Sequence, residues 1–268
     1  MPKISLAEDL EIYYLERNPT GKQTVLLLHG LGASSNSWQL QIPALEQAGF
    51  RLLAPDIRGF GRSSHSKIRM SISAMAGDLS ALMDCLEIRS AHVVGISMGG
   101  ILALQLVLDY TDRVDKLVLI NTFAKLRPRS PKTWLYFAWR FLLVYLVGFP
   151  SQARTVTKRI FPKPDQEALR QELYREIMQS DPSAYRSVMA ALARFDVSKR
   201  LCEIQAPTLI LTGESDTTVP PKDQAALLVG IHSARQICVP DAGHAMIAEQ
   251  PEIFNHLLLD FLLEPNPG

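Results

Sequence analysis

Residues 93–100 read VVGISMGG, and the rest of the chain is arranged around this stretch. A short apolar run, typical of a strand that is buried on both faces, leads into Ser97. Residues 101–110 then follow a helical pattern. These features predict a strand, one sharp turn and a helix. Gly95 and Gly99 omit the side chains that would collide across that turn.

The predicted turn gives Ser97 the surroundings of a nucleophile. A tight strand-to-helix turn, called a nucleophile elbow, lifts the Oγ atom of Ser97 above the edge of the sheet. The residue then lies at the N-terminus of a helix, where partial positive charge favours a developing oxyanion. A serine hydroxyl barely ionises at pH 7, so Ser97 needs a base, and the base needs an acid to orient it.

Two later loops carry an acid and a histidine. Gly213-Glu214-Ser215-Asp216 follows a predicted strand over 208–211, and Asp241-Ala242-Gly243-His244 follows a predicted strand over 236–239. Both loops lie at the carboxyl ends of their strands, as does Ser97. Open parallel sheets bind their ligands at this edge, so we expect the three groups to meet there.

We predict that Ser97 is the nucleophile, His244 the general base and then the general acid, and Asp216 the carboxylate that fixes the histidine tautomer. Glu214 stays open as an alternative acid because it lies in the same loop as Asp216. An acid after the strand predicted over 114–120 is another known arrangement. Asn121 occupies that position and cannot carry the charge.

Two backbone N–H groups are expected to form an oxyanion hole. One belongs to Met98, directly after the nucleophile, and the other to Leu31, in the loop after the strand predicted over 24–28. The dipeptide His29-Gly30 lets that loop approach the serine closely. His29 is also a candidate residue of the substrate pocket, although a structural role is the more common one for a histidine at this point.

Strand and helix patterns alternate on both sides of a long helical block. Residues 4–16 predict one or two strands, with an antiparallel start to the sheet. From residue 123 to about 200 only helical patterns occur, separated by prolines. Right-handed crossovers then give a mostly parallel central sheet of about eight strands flanked by helices, with an inserted all-helical cap. The predicted division is a core domain of residues 1–122 and 201–268 and a cap of residues 123–200.

Composition excludes several classes of function. A chain of 268 residues with 47% hydrophobic content fits one α/β domain of ordinary size with an insertion. A net charge of +1 gives no basis for binding nucleic acid. No Cys-x-x-Cys or His-x-x-x-His spacing suggests a metal, and the predicted chemistry needs no cofactor.

The cysteines and the N-terminus indicate a cytoplasmic protein. The three cysteines are far apart and odd in number, which predicts buried, reduced thiols at Cys85, Cys202 and Cys238. Acidic residues follow Met1 closely, without the apolar segment of a secretory signal.

One helix is predicted over residues 38–48, interrupted near a proline.

One apolar segment is almost long enough to span a membrane. Residues 133–149 read TWLYFAWRFLLVYLVGF, which is 17 residues with Arg140 at the middle. A membrane span needs about 20 apolar residues, so we expect a buried or surface-docking helix and no membrane span. Within the cap, Trp134, Phe137 and Phe141 are the expected lining of a pocket for an apolar substrate.

Five motifs in this order resemble the α/β-hydrolase fold superfamily over nearly the whole chain. They are His29-Gly30-Leu31-Gly32, Asp56-Ile57-Arg58-Gly59-Phe60-Gly61-Arg62-Ser63, Gly95-Ile96-Ser97-Met98-Gly99-Gly100, Gly213-Glu214-Ser215-Asp216 and Ala242-Gly243-His244. The resemblance implies that the helical insertion covers the active site, that Asp56 and Arg58 hold turns, and that ester hydrolysis is the default reaction.

Within this resemblance we favour a carboxylesterase or lactonase that cleaves small to medium apolar esters through an acyl-enzyme. Epoxide hydrolases and haloalkane dehalogenases use aspartate at the elbow, where this chain has Ser97. Ile96 stands where meta-cleavage C–C hydrolases often have asparagine, which weakens that alternative. Enol-lactonase activity stays open, and a non-catalytic small-ligand receptor is a remote alternative. The expected partner is a small-molecule ester, and the expected state is a monomer or homodimer.

Overall fold

The computed structural model describes most of the chain, namely residues 2–64, 70–126, 135, 138, 139, 142 and 148–265. Its centre is an eight-stranded sheet with the strand order β1-β2-β4-β3-β5-β6-β7-β8. The strands are β1 (Lys3–Ala7), β2 (Leu10–Arg17), β3 (Thr24–Leu28), β4 (Arg51–Pro55), β5 (Ala91–Ile96), β6 (Val114–Ile120), β7 (Thr208–Gly213) and β8 (Ala234–Val239).

The sheet is antiparallel only at its first edge. Strand β1 pairs with β2, and β2 pairs with β4, in antiparallel fashion. All further neighbours, from β4 through β3, β5, β6 and β7 to β8, are parallel. The predicted mostly parallel α/β sheet with an antiparallel start is therefore confirmed. Parallel pairing also brings the carboxyl ends of β5, β7 and β8 to one edge.

Helices cover both faces of this sheet. Those outside the long connection between β6 and β7 are α1 (Ile42–Gln47), α2 (Ile72–Cys85), α3 (Met98–Asp109), α7 (Pro221–Gly230), α8 (Met246–Glu249) and α9 (Pro251–Leu263). Inside that connection, the described helices are α4 (Phe149–Ile160), α5 (Glu167–Gln179) and α6 (Pro182–Arg194).

Alternate residues of the central strands feed two separate cores. In β3, Leu26 and Leu28 join one cluster, while Val25 and Leu27 join the other, because successive side chains point to opposite faces. The first cluster contains α2, α3 and apolar residues of α4 to α6. The second contains α1, α8 and α9, packed around the fully buried Trp38.

The chain leaves the sheet layer for helices α4 to α6 and returns to it through two short segments that are paired with each other. Lys125 and Asp196 form an isolated antiparallel bridge and an ion pair. The backbone N–H of Val197 donates to the carbonyl oxygen of Ala124 at 3.0 Å. Since α4 to α6 also share the first core, they are packed against the sheet layer. Among the described residues, no helix is long and apolar enough to cross a membrane.

Two expectations from the sequence are corrected. The helix expected over 38–48 begins only at Ile42, because Ser35–Trp38 forms a 3₁₀ turn and Pro43 suits the first turn of a new helix. The cysteines are free, as expected, but Cys85, Cys202 and Cys238 are all exposed. Within the apolar segment 133–149, where a helix is expected, residues 133, 134, 136, 137, 140, 141 and 143–147 lie outside the described residues.

The loop after β4 has a structural role, as the resemblance implied. The Asp56 carboxylate accepts hydrogen bonds from the backbone N–H of Ser35 at 2.7 Å and of Arg62 at 2.8 Å. Arg58 forms an ion pair with Asp78 of α2. Asp56 therefore ties its own loop to the loop that follows β3, and Arg58 ties it to the neighbouring helix.

Helix α3 lies directly against the backbone of the sheet at the elbow. A Cβ atom at Gly99 would overlap the carbonyl oxygen of Leu28, and one at Gly95 would overlap the carbonyl oxygen of Gly99. A Cβ atom at Gly100 would lie 2.7 Å from the Cβ atom of Thr122. Only glycine permits these approaches, so the elbow sequence sets the distance between α3 and β3.

We expect Gly99→Ala to destabilise the protein by about 3 kcal/mol, because overpacking against fixed backbone atoms costs about 1–3 kcal/mol or more. The control is Gly77→Ala in α2, where a Cβ atom would meet only the Tyr110 hydroxyl at 3.5 Å. It should be neutral or slightly stabilising, since alanine favours helix. Denaturant unfolding measures both. Equal stabilities for the two variants would contradict the proposed close approach.

Candidate active site

The elbow holds Ser97 in an unusual backbone conformation. Its φ and ψ angles are 54° and −114°. Such a conformation costs on the order of 1–3 kcal/mol unless the surroundings enforce it. The Ser97 N–H donates to the Ile120 carbonyl at 2.9 Å, and the Ser97 carbonyl accepts from the Thr122 hydroxyl at 2.8 Å and from the Ile101 N–H at 3.2 Å. These bonds fix the backbone on both sides of the serine.

The histidine and the acid predicted from the sequence meet in a buried pair. His244 Nδ1 lies 2.8 Å from Asp216 Oδ2. Asp216 Oδ1 accepts the backbone N–H groups of Thr218 at 2.7 Å and Val219 at 3.0 Å. A carboxylate that accepts at Oδ2 keeps the proton of a neutral imidazole on Nδ1, which leaves Nε2 as an acceptor. The alternative acid, Glu214, is exposed.

Asn121 joins the two loops that carry this pair. It follows β6 with a φ of 46°, in the left-handed region that asparagine tolerates. Its amide donates to the carbonyl oxygens of Gly243 at 2.9 Å and His244 at 2.8 Å, and its oxygen accepts the Gly213 N–H at 2.8 Å. From the sequence, Asn121 is recognised only as a residue that cannot be the acid, because its partners lie far away in the chain.

Glu249 holds the histidine loop from the other side. Its carboxylate accepts the backbone N–H of Gly243 at 3.3 Å and of Ala245 at 3.1 Å, the residues on either side of His244. It also accepts the side-chain amide of Gln166 at 3.0 Å, from the turn before α5. Glu249 thus links the histidine loop to the helices inserted after β6. The one feature of the sequence that pointed to this role is the position of Glu249, five residues after His244.

The loop after β3 runs beside the serine, as expected. A Cβ atom at Gly30 would lie 3.8 Å from the Ser97 Cβ atom, which is van der Waals contact, so this loop lies directly beside the serine. Within the described part of the chain, the backbone N–H groups of Leu31 and Met98 have no protein acceptor. Two N–H groups without a partner beside a strained serine suit an oxyanion hole. This role stays a prediction.

His29 does not belong to the substrate pocket, contrary to our expectation. It is completely buried, its Nδ1–H donates to the Gly30 carbonyl at 2.8 Å, and its Nε2 accepts the Ile57 N–H at 3.0 Å. Burial lowers the pKa of the His29 imidazole and keeps it neutral. Both ring nitrogens are used to hold backbone, so His29 is structural.

A cavity of about 220 Å³ opens onto the serine and the histidine. Ser97, His244 and Leu31 all line it. Most of its remaining wall is apolar, and a large part of it comes from α4, α5 and α6, through Val156, Ile160, Leu169, Leu173, Tyr185, Met189 and Leu192. Three residues expected to line this pocket, Trp134, Phe137 and Phe141, lie outside the described residues. Across the described chain, no cluster of three metal-binding side chains occurs.

Comparison with known proteins identifies the class of the protein and then its family. An eight-stranded sheet of this order, with a serine at a glycine-lined elbow, is the framework of an α/β hydrolase. The sequence model described as the alpha/beta hydrolase fold matches residues 23–251. The chain therefore belongs to the alpha/beta hydrolase fold family.

Individual relatives cover almost the whole chain. The chain is 32% identical to a putative carbamate hydrolase RutD of Variovorax paradoxus, over 94% of this chain and 96% of the relative. It is 31% identical to a 2-hydroxy-6-oxo-6-phenylhexa-2,4-dienoate hydrolase of Comamonas testosteroni, over 95% and 93%. Among solved structures, the enol-lactonase of Burkholderia xenovorans LB400 is similar with a TM-score of 0.88 and 28% identity, over 98% and 100%.

We expect Glu249→Gln to loosen the histidine loop. Glutamine offers one acceptor oxygen, so one of the N–H groups beside His244 loses its partner, at a cost of about 1–3 kcal/mol. The free energy of unfolding should fall by that amount, and hydrolytic turnover should fall mainly in kcat. Glu252→Gln, on the exposed side of α9, is the control and should change neither. A Glu249→Gln protein as stable and active as wild type would show that the carboxylate does not hold the loop.

Proposed function

We propose that this protein hydrolyses carboxylic esters of small to medium apolar substrates through an acyl-enzyme on Ser97. The observation that carries the proposal is the 2.8 Å contact between Asp216 and His244, in a cavity that Ser97 and His244 both line. This is the composition of a Ser-His-Asp triad in the chain order serine, acid, histidine. The enol-lactonase and carbamate hydrolase names of its relatives support attack on a carbonyl group joined to oxygen.

The proposed reaction has two halves. In the first, His244 Nε2 takes the proton of the Ser97 hydroxyl, and Ser97 Oγ forms a bond to the ester carbonyl carbon. Asp216 holds the imidazolium that results, and the N–H groups of Leu31 and Met98 stabilise the oxyanion. The C–O bond to the alcohol then breaks, and His244 gives the alcohol its proton. In the second half, water attacks the acyl-enzyme by the same proton transfers.

The helices between β6 and β7 have a proposed role as a cap. They supply a large part of the apolar wall of the cavity, and burial of apolar surface favours apolar acyl or alcohol groups there. We therefore assign residues 123–200 to the cap and residues 1–122 and 201–268 to the core. Trp134, Phe137 and Phe141 stay candidates for its lining. We further propose a cytoplasmic monomer or homodimer that needs no cofactor.

Cleavage of a carbon–carbon bond is the second candidate function. The Comamonas relative supports it, since its name describes hydrolysis of a dienoate. Ile96 at the elbow weakens it, because asparagine is frequent there among C–C hydrolases. Bleaching of a yellow vinylogous diketone acid would distinguish this reaction from ester cleavage.

Lactones would be cleaved by the same steps as open esters.

Turnover of p-nitrophenyl butyrate tests the proposal. Ser97→Ala and His244→Ala should each lower kcat more than about 10³-fold, because removal of a triad member leaves only binding and oxyanion stabilisation. Asp216→Asn should lower it about 10³–10⁴-fold by favouring the wrong tautomer.

The matched control is His256→Ala. His256 Nδ1 also lies 2.8 Å from a carboxylate, that of Asp260, but this pair is exposed on α9. Its loss should leave turnover unchanged. Unaffected turnover in both Ser97→Ala and His244→Ala would end the assignment.

A further inference from the structure

A carboxylate forms part of the wall of the cavity that contains Ser97 and His244. Glu176 of α5 lines this cavity. Its Oε1 accepts the Ser34 hydroxyl at 2.7 Å, and its Oε2 lies 3.5 Å from the Ser37 hydroxyl. Both serines belong to the segment just after Leu31. The described hydrogen-bond partners of this carboxylate are therefore neutral hydroxyl groups, which hold it in place without compensating its negative charge.

The charged side chains among the described residues around the cavity are acidic. The ionisable residues that line it there are Glu172, Glu176, Tyr185 and His244, and none of the described lining residues is lysine or arginine. Arg175 pairs with Glu172 at 2.8 Å, but both side chains are well exposed to solvent there. Burial, with smaller contributions from Glu172 and Asp56, raises the pKa of the Glu176 carboxyl. This cavity therefore already disfavours negative charge before any ligand enters.

We propose that Glu176 determines substrate specificity, so that the cavity accepts uncharged or positively charged esters and carbamates and rejects those that carry a carboxylate. The proposal rests on the proposed function of the same cavity. In a cavity of about 220 Å³, a ligand carboxylate lies within on the order of 10 Å of Glu176. At the effective dielectric constant of such sites, the repulsion corresponds to about a tenfold loss or more.

Two chromogenic substrates that differ only in charge test this role. Both are p-nitrophenyl esters of adipic acid, and the far end is a carboxylate in one and a primary amide in the other. Wild type should show kcat/KM at least about tenfold higher for the amide. In Glu176→Gln, which keeps an acceptor for Ser34, this ratio should fall about tenfold. A ratio that is the same in wild type and Glu176→Gln overturns the proposal.

The control variant is Glu167→Gln, which removes a negative charge from the same helix at an exposed position outside the cavity. It should leave the ratio unchanged, and a drop equal to that of Glu176→Gln would also overturn the proposal, because the effect would then be a general one. The ratio compares substrates within one variant, so a loss of folded protein does not alter it.

A binding measurement separates failure of this proposal from failure of the proposed function. If wild type cleaves neither ester, ester hydrolysis is wrong. Calorimetry with hexanamide and hexanoate then tests the charge preference directly. Tighter binding of hexanamide, lost in Glu176→Gln, supports the role of Glu176. Equal affinity, or tighter binding of hexanoate, overturns it.

Discussion

The contact between the backbone of α3 and the backbone of β3 is the constraint on which the site depends. Because Gly99 has no side chain, the helix approaches Leu28 closely enough to force Ser97 into a positive φ angle. The hydrogen bonds to Ile120 and Thr122 then hold the serine from the neighbouring strand. If the elbow were less tight, Ser97 would lie closer to the sheet. The residues that follow β7 and β8 could then not reach its hydroxyl group.

The acid and the histidine are held by side chains that do not line the cavity of Ser97. Asn121 reaches both of their loops, and Glu249 holds the backbone on either side of His244 while bonding to Gln166. In the proposed function, the sheet edge carries out the chemistry and the inserted helices select the substrate. Glu249 couples these two parts, since it contacts both the histidine loop and Gln166. If α5 moved, Gln166 would shift Glu249, and the Glu249 carboxylate would in turn shift the loop that carries His244.

Sequence patterns predicted the features that local chemistry determines. The elbow, the antiparallel start of the sheet and the acid–histidine pair follow from glycine positions, apolar runs and motif order. The roles of Asn121, Glu249 and Glu176 did not follow, because their partners lie far away in the chain and no local pattern marks such contacts. The exposed cysteines have a similar cause, whereas α1 begins late for the local reason that a 3₁₀ turn precedes Pro43. Burial depends on what packs against a segment, and a single sequence does not reveal its neighbour.

Covalent labelling with a fluorophosphonate tests the central claim, that the elbow serine is activated by His244, most directly. After digestion, mass spectrometry should find one phosphonylated residue, Ser97, in the native protein. The adduct should be absent from Ser97→Ala and should form at least about 10³-fold more slowly in His244→Ala. No adduct on the folded protein would indicate a fold that binds ligands without catalysis. Labelling of Ser97 at the same rate without His244 would contradict activation by the histidine.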